Sequence, residues 1–170
     1  MAVVELLELP GAAPPGAPLV GLDLGEKTIG VAVSDVRRVV ASPLALIRRA
    51  KFTADAARLF ELMRSRGAGA LVIGLPVNMD ASEGPRAQSA RAFARNLIRL
   101  NDLPIAFWDE RLSTAAVNRL LIGEADASRG RRAELVDKAA AAWILQGALD
   151  RLAAAGAPFP GPSIAPRTRL

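Results

Sequence analysis

Three acidic residues stand where a purely structural carboxylate has little reason to be. Asp23 interrupts the apolar run Leu19-Val20-Gly21-Leu22-Asp23-Leu24, Glu110 ends the run that begins at Pro104-Ile105-Ala106-Phe107, and Asp137 opens the apolar stretch from Val136 to Leu149. Burying a charge is costly unless something pairs with it. Three carboxylates gathered together repel unless a cation joins them. A divalent metal is the simplest such cation, and phosphate chemistry is its commonest use.

Each acid has a structural alternative. Asp23 could accept hydrogen bonds from the turn that follows at Gly25-Glu26-Lys27, although Asp is disfavoured inside strands. Glu110 and Asp109 could both stabilise the positive end of a helix beginning near Ser113. Strand alternation sends these two to opposite sides, so only one faces the site, and spacing alone does not choose between them. Asp137 could be a first-turn helix acid. Yet Asp137, Ala141, Ile144 and Ala148 share one stripe of a helix that is apolar nearly all round, which turns Asp137 toward protein. Asp35 belongs at the opposite end of the sheet and reads as structural.

Composition narrows the chemistry. The chain has no His, Cys or Tyr, which removes Ser-His-Asp triads, thiol nucleophiles and imidazole or thiolate zinc sites. The remaining ligands are hard oxygens, which suit Mg²⁺ or Mn²⁺. The net charge of +5, with Arg far outnumbering Lys, favours a polyanionic partner. The start of the chain lacks a basic n-region, and no apolar run approaches the ~20 residues of a membrane span. A cytoplasmic protein with no membrane association is expected.

The elements that must position these acids follow from periodicity. Residues 1–18 carry Pro10, Pro14, Pro15 and Pro18 and read as a flexible leader; residues 154–170 read as a flexible Pro-rich tail. Between them, residues 19–153 form one folded domain. Leu19–Leu24 and Thr28–Ser34 read as a hairpin, and Val39–Ile47 as a third strand placed at an edge by Pro43. Thr53 is expected to cap a helix that Gly67 ends. Ala70–Leu75 is continuously apolar, as a buried parallel strand should be. Pro85 starts a second helix, Pro104–Trp108 is the last strand, Ser113 caps a third helix ending at Gly123, and Glu134–Ala153 is the final helix. The order predicts an α/β fold: three antiparallel strands, then parallel β-α units, with helices on both faces of a mixed sheet.

Cations for a phosphate backbone are available near the acids. Arg129, Arg131 and Arg132 fall in a polar loop before Asp137, and Lys138 follows it; Lys27 and Arg111 could position phosphate or serve as ion-pair partners. Arg91, Arg95 and Arg99 make a helical stripe that reads as a solvated face.

Four blocks, in order, resemble the YqgF/RuvX family. They are Gly21-Leu22-Asp23-Leu24-Gly25-Glu26-Lys27-Thr28, Gly74-Leu75-Pro76-Val77-Asn78-Met79-Asp80 with Glu83-Gly84-Pro85, Asp109-Glu110-Arg111-Leu112-Ser113-Thr114, and Val136-Asp137-Lys138-Ala139-Ala140 with Ile144-Leu145-Gln146. The resemblance implies a ribonuclease-H-like nuclease of bacterial cytoplasm, associated with 5′-end maturation of pre-16S ribosomal RNA or with resolution of Holliday junctions. It implies Asp23, Glu110 and Asp137 as catalytic metal ligands, and so selects Glu110 over Asp109. One departure is Ala81, where the family usually has Gly; a loop glycine often supplies positive φ.

The expected activity is metal-dependent phosphodiester hydrolysis on pre-ribosomal RNA or branched DNA, by a monomer or homodimer, with a ribosomal precursor particle as a further candidate partner. Two competitors are a nucleic-acid-binding module of the same fold without catalysis and an actin-like ATPase. The second needs a two-domain cleft that a chain of 170 residues is too short to build.

Overall fold

The computed structural model describes residues 3–112 and 129–156, with backbone alone at 112, 129–135 and 137. Its strands are β1 (Leu19–Leu24), β2 (Thr28–Ser34), β3 (Ala41–Arg48), β4 (Ala70–Leu75) and β5 (Ile105–Asp109). Its helices are α1 (Leu9–Ala12), α2 (Phe52–Arg66), α3 (Pro85–Leu100) and α4 (Arg129–Ala154). The strands form one sheet in the order β3-β2-β1-β4-β5. β1 and β3 each pair antiparallel with β2, whereas β1–β4 and β4–β5 are parallel. This is the ribonuclease-H-like mixed sheet expected from the element order.

Alternation along β1 divides the core. Val20 and Leu22 pack with Leu59 of α2 and with Phe93 and Leu97 of α3. Leu19, on the other face, packs with Val72, Ala106 and Leu145 and Leu149 of α4. β4 lies between two parallel neighbours with both faces covered, and all six of its residues are buried, which is why its sequence is an apolar run rather than an alternation. Helix α4 lies very close to the sheet because small residues line the contact. A Cβ on Gly21 would stand 2.6 Å from Leu145 Cβ and 3.0 Å from the Ala141 carbonyl, and a Cβ on Gly147 only 2.8 Å from the Trp108 ring.

Several boundaries differ from the sequence reading. The leader is packed, not flexible, from Val3 onward. The Val4 N–H donates to the Ile105 carbonyl at 2.9 Å, and Leu9 and Ala13 are buried in the α4-side core. Its prolines obscured apolar residues spaced to cover the sheet. Arg38, 2 % exposed, donates from Nε to the Ala17 carbonyl and from Nη2 to that of Pro14, tying the leader to the β2–β3 turn. Thr53 does not cap α2. The helix starts at Phe52 after an extended Lys51, and the buried Asp55 carboxylate accepts the Ala50 N–H instead. Gly67 ends α2 with φ of 64°, as expected. Pro43 does lie on an edge strand, next to a register shift opposite Val31 and Ala32. The final helix begins at Arg129, earlier than Glu134, so Arg129, Arg131 and Arg132 are helical and not in a loop. The helix expected over Ser113–Gly123 and the tail beyond 156 lie outside the described residues. Among the described residues no helix is long and apolar enough to cross a membrane.

Candidate active site

The C-terminal ends of the parallel strands β1, β4 and β5 lie side by side, and Asp23 and Glu110 come near each other there. Asp23 is the fifth of six β1 residues. Alternation puts it on the α4 face with Leu19 and Gly21. The turn beyond it closes through the Gly25 N–H donating to the Thr28 carbonyl at 2.9 Å.

Glu110 does not end β5; it opens a short 3₁₀ turn, Glu110–Leu112. That one-residue change lets it fold back over the sheet. A Cβ on Gly74 would meet Glu110 Oε1 at 2.6 Å and Ile144 Cδ1 at 2.5 Å, so the Glu110 carboxyl lies across β4 on the α4 face. Gly74 pairs with Trp108 of β5, and one step beyond the Leu22–Ile73 pair it stands beside Asp23. The middle strand is therefore glycine where two carboxylates flank it.

The electrostatics agree with this placement. Burial, with the negative charge of Asp23 as the next cause, pushes the Glu110 carboxyl up from 4.5 to about 7; Arg86 opposes the rise and Asp109 adds to it. Two carboxylates close enough to repel, one partly desolvated, make a site that gains from a cation. The cradle that a Cβ at Gly74 would fill, together with an all-oxygen donor set, fits Mg²⁺ or Mn²⁺.

Asp109 takes a different role. Its carboxylate accepts from the Arg111 N–H at 3.0 Å and from the Arg111 guanidinium at 2.6–3.0 Å. The Asp109 carboxyl is held below the ordinary carboxylate range; its desolvation is outweighed by the Arg111 hydrogen bond, the largest cause. Geometry thus separates the two neighbours that alternation alone left open. Arg111 Nη1 also approaches the Asn78 carbonyl at 3.4 Å, so this guanidinium braces the loop after β4. In that loop Asp80 Oδ1 accepts from the Ser82 N–H and hydroxyl, and Ala81 has φ of 68°. Glu83 pairs with Arg91, whose guanidinium also lies 4.9 Å from the Phe107 ring centroid; Arg91 is a structural cation. Asp35 accepts the Val39 and Val40 N–H groups in the β2–β3 turn, at the other end of the sheet.

Asp137 lies on α4, one turn before Ala141, whose carbonyl abuts Gly21. With the helix starting at Arg129, position 137 is two turns in, beyond the reach of the macrodipole that made its structural alternative attractive. Its side chain is outside the described set, as are those of Arg129, Arg131 and Arg132. Among the described residues no group of three ligating side chains occurs. Lys138 is half-buried on α4, and Lys27 is exposed at the β1–β2 turn.

Sequence reasoning missed Gly74, Arg86 and Arg49. Glycine inside an apolar strand is a mark of close approach, and that signal was present in Ala70–Leu75. Arg86, directly after the helix-starting Pro85, interacts with Glu110 through charge. Arg49 donates to the Gly25 carbonyl at 2.7 Å.

Residues 17–151 match the family model described as "RuvX: Holliday junction resolvase". A protein of Phenylobacterium zucineum is 74% identical over 153 residues, covering 89% of this chain and 98% of that one. One of Rhodospirillum rubrum is 62% identical over 152 residues, covering 89% and 94%. Both carry the name "Putative pre-16S rRNA nuclease". A solved structure of T. thermophilus RuvC in complex with Holliday junction substrate aligns over 81% of this chain and 96% of that one, at 14% identity and a TM-score of 0.49.

Proposed function

The chain belongs to the RuvX family, and from that membership and the site geometry we propose that it is a metal-dependent nuclease acting in 5′-end maturation of pre-16S ribosomal RNA. The observation that carries the reading is the Glu110 carboxyl laid over Gly74 toward Asp23. Asp23, Glu110 and Asp137 are the proposed ligands of Mg²⁺ or Mn²⁺. Such an ion, when bound, supplies an acidified water and a counter-charge for the leaving oxygen.

The chain's own residues have separable tasks. Asp23 and Glu110 offer oxygens from the strand ends on either side of β4, and Gly74 keeps the space between them open. Burial and the charge of Asp23 keep the Glu110 carboxyl protonated up to near neutrality, and it would be one of the residues to hold the ion. Arg111 keeps Asp109 away from the site and braces the loop that follows β4. Arg129, Arg131 and Arg132 occupy the first turns of α4, where a cation opposes the helix macrodipole by ~0.3–1 kcal/mol. An arriving phosphate backbone would repay that cost, so these three, with Lys138 and Lys27, are the proposed nucleic-acid contacts. A ribosomal precursor particle in the cytoplasm is the proposed setting.

The family description favours a second reading, a resolvase acting on branched DNA as a homodimer. A paired assay separates the two. Wild type and Asp23→Asn are given a precursor ribosomal RNA fragment and a four-way DNA junction with Mn²⁺. Asp23-dependent cutting of the RNA with the junction intact supports the RNA reading. Symmetric Asp23-dependent nicking of the junction supports the other. Equal cleavage by the variant and wild type refutes the metal site, and cleavage of neither substrate supports a binding module.

A further inference from the structure

The tip of β1 has two sides. Asp23 faces α4, while Leu24 alternates to the opposite side and packs against the α2–α3 core. On that side is a cleft of about 60 Å³ lined by Leu24, Gly25, Glu26, Arg49, Arg86 and Ser89. Three separate segments meet there: the β1–β2 turn, the end of β3 and the start of α3.

The cations of this cleft differ from three other arginines of the surface. Arg58, Arg91 and Arg111 each pair with a carboxylate. Among the described residues neither Arg49 nor Arg86 is in a salt bridge. Arg49 is held in place by the Gly25 carbonyl at 2.7 Å and by the Phe93 ring, whose centroid is 5.9 Å away. One donor of its planar fork is thereby used and the head group is oriented, leaving other donors for a ligand. Arg86 projects from the first turn of α3, a helix of 16 residues with no acidic residue in that turn. Ser89, one turn on, adds a hydroxyl. Two guanidiniums and a helix N-terminus outweigh the single carboxylate of Glu26 and favour an anion. Arg86 also interacts with Glu110 through charge, which places the cleft near that carboxyl around the strand tip.

We propose that the Arg49–Arg86 cleft binds a backbone phosphate of the substrate strand next to the bond that is cut, so that the strand crosses the end of the sheet from the α4 face to the α3 face. This rests on the nuclease reading for the identity of the strand, and the shared chemistry is the phosphodiester. Arg49 and Arg86 are positioning residues in this arrangement. They touch a phosphate that does not react.

Binding is measured in the Asp23→Asn background, so that cleavage does not intervene, with a precursor RNA fragment and separately with a four-way DNA junction. Arg86→Gln should weaken binding severalfold and lower the slope of log affinity against log salt by about 0.7 on a single-stranded segment. Glu26→Gln should have the opposite sign and tighten binding. A scan placing one neutral methylphosphonate at each linkage should find a position whose cost disappears when Arg86→Gln is also present. An unchanged salt slope, or a scan with no such position, overturns the cleft. Loss of slope together with a wild-type protein that cleaves neither substrate keeps the cleft and sinks the nuclease reading. RNA and junction arms that both respond support a phosphate subsite common to the two; a response from only one assigns it to that substrate.

Discussion

Without a cation, Glu110 should destabilise the protein at neutral pH, and Glu110→Gln should relieve it. The carboxyl rises from 4.5 to about 7 on folding, through burial first and Asp23 second. Between those values the folded state binds more protons than the unfolded chain, so stability falls as pH increases across that window. A rise of that size is worth at most about 3 kcal/mol. Partial solvent access screens it, leaving about 1–2 kcal/mol. Wild type in EDTA should therefore be less stable than Glu110→Gln at pH 8 by about 1–2 kcal/mol, or roughly 3–6 °C in Tm for a domain of this size. At pH 4.5 the two should coincide, because Glu110 is protonated. Urea denaturation of both proteins at a series of pH values tests this. Added Mg²⁺ should stabilise wild type and leave the variant nearly unchanged. A difference independent of pH, or a variant less stable at pH 8, would refute the reasoning that Glu110 and Asp23 repel across Gly74.

Three further outcomes are expected. Gly74→Ala puts a methyl 2.5 Å from Ile144 Cδ1 and 2.6 Å from Glu110 Oε1; it should cost about 1–3 kcal/mol and lose far more cleavage than that predicts, as read by parallel melting and cleavage assays. Ala81→Gly should raise stability by about 0.5–1 kcal/mol, because a left-handed non-glycine residue costs ~1–2 and glycine returns ~0.4–1 through the unfolded chain; the urea midpoint reports it, and a decrease would show that φ of 68° is not strained. Arg38→Ala removes the donors to the Pro14 and Ala17 carbonyls, and should cost about 1–3 kcal/mol while speeding amide exchange between Leu9 and Ala17; unchanged exchange there would mean the leader is held by apolar packing alone.

The order of strands along the chain, and the face of β1 that Asp23 shares with Leu19 and Gly21, were legible because alternation and apolar runs report burial directly. Asp23 stood out for the same reason, a charge inside such a run. The choice between Asp109 and Glu110 was not legible. It depends on where β5 gives way to a 3₁₀ turn and on the Arg111 fork that claims Asp109, a boundary of one residue that propensity does not resolve. Residues 3–16 were misread because proline content was taken as flexibility, whereas Leu9 and Ala13 find a ready apolar surface on the sheet. The missing glycine at position 81 was legible, and its physical reason holds: the backbone adopts positive φ with alanine in place.

The placement of Val3 and Val4 along Ile105 has a consequence for handling the protein. A sheet ends in two rows of unpaired amides, and such rows recruit other chains. At one end, Pro43 and the register shift beside it spoil the row on β3. At the other, the first residues of the leader occupy the β5 row, through the Val3–Ile105 bridge and the Val4 N–H. Cutting the chain back to the start of β1, or fusing a bulky tag immediately ahead of Val3, would open that row and bare the apolar surface beneath Leu9. The resulting preparation would self-associate. Its poor turnover would then reflect colloidal loss of material, with the carboxylate centre itself intact.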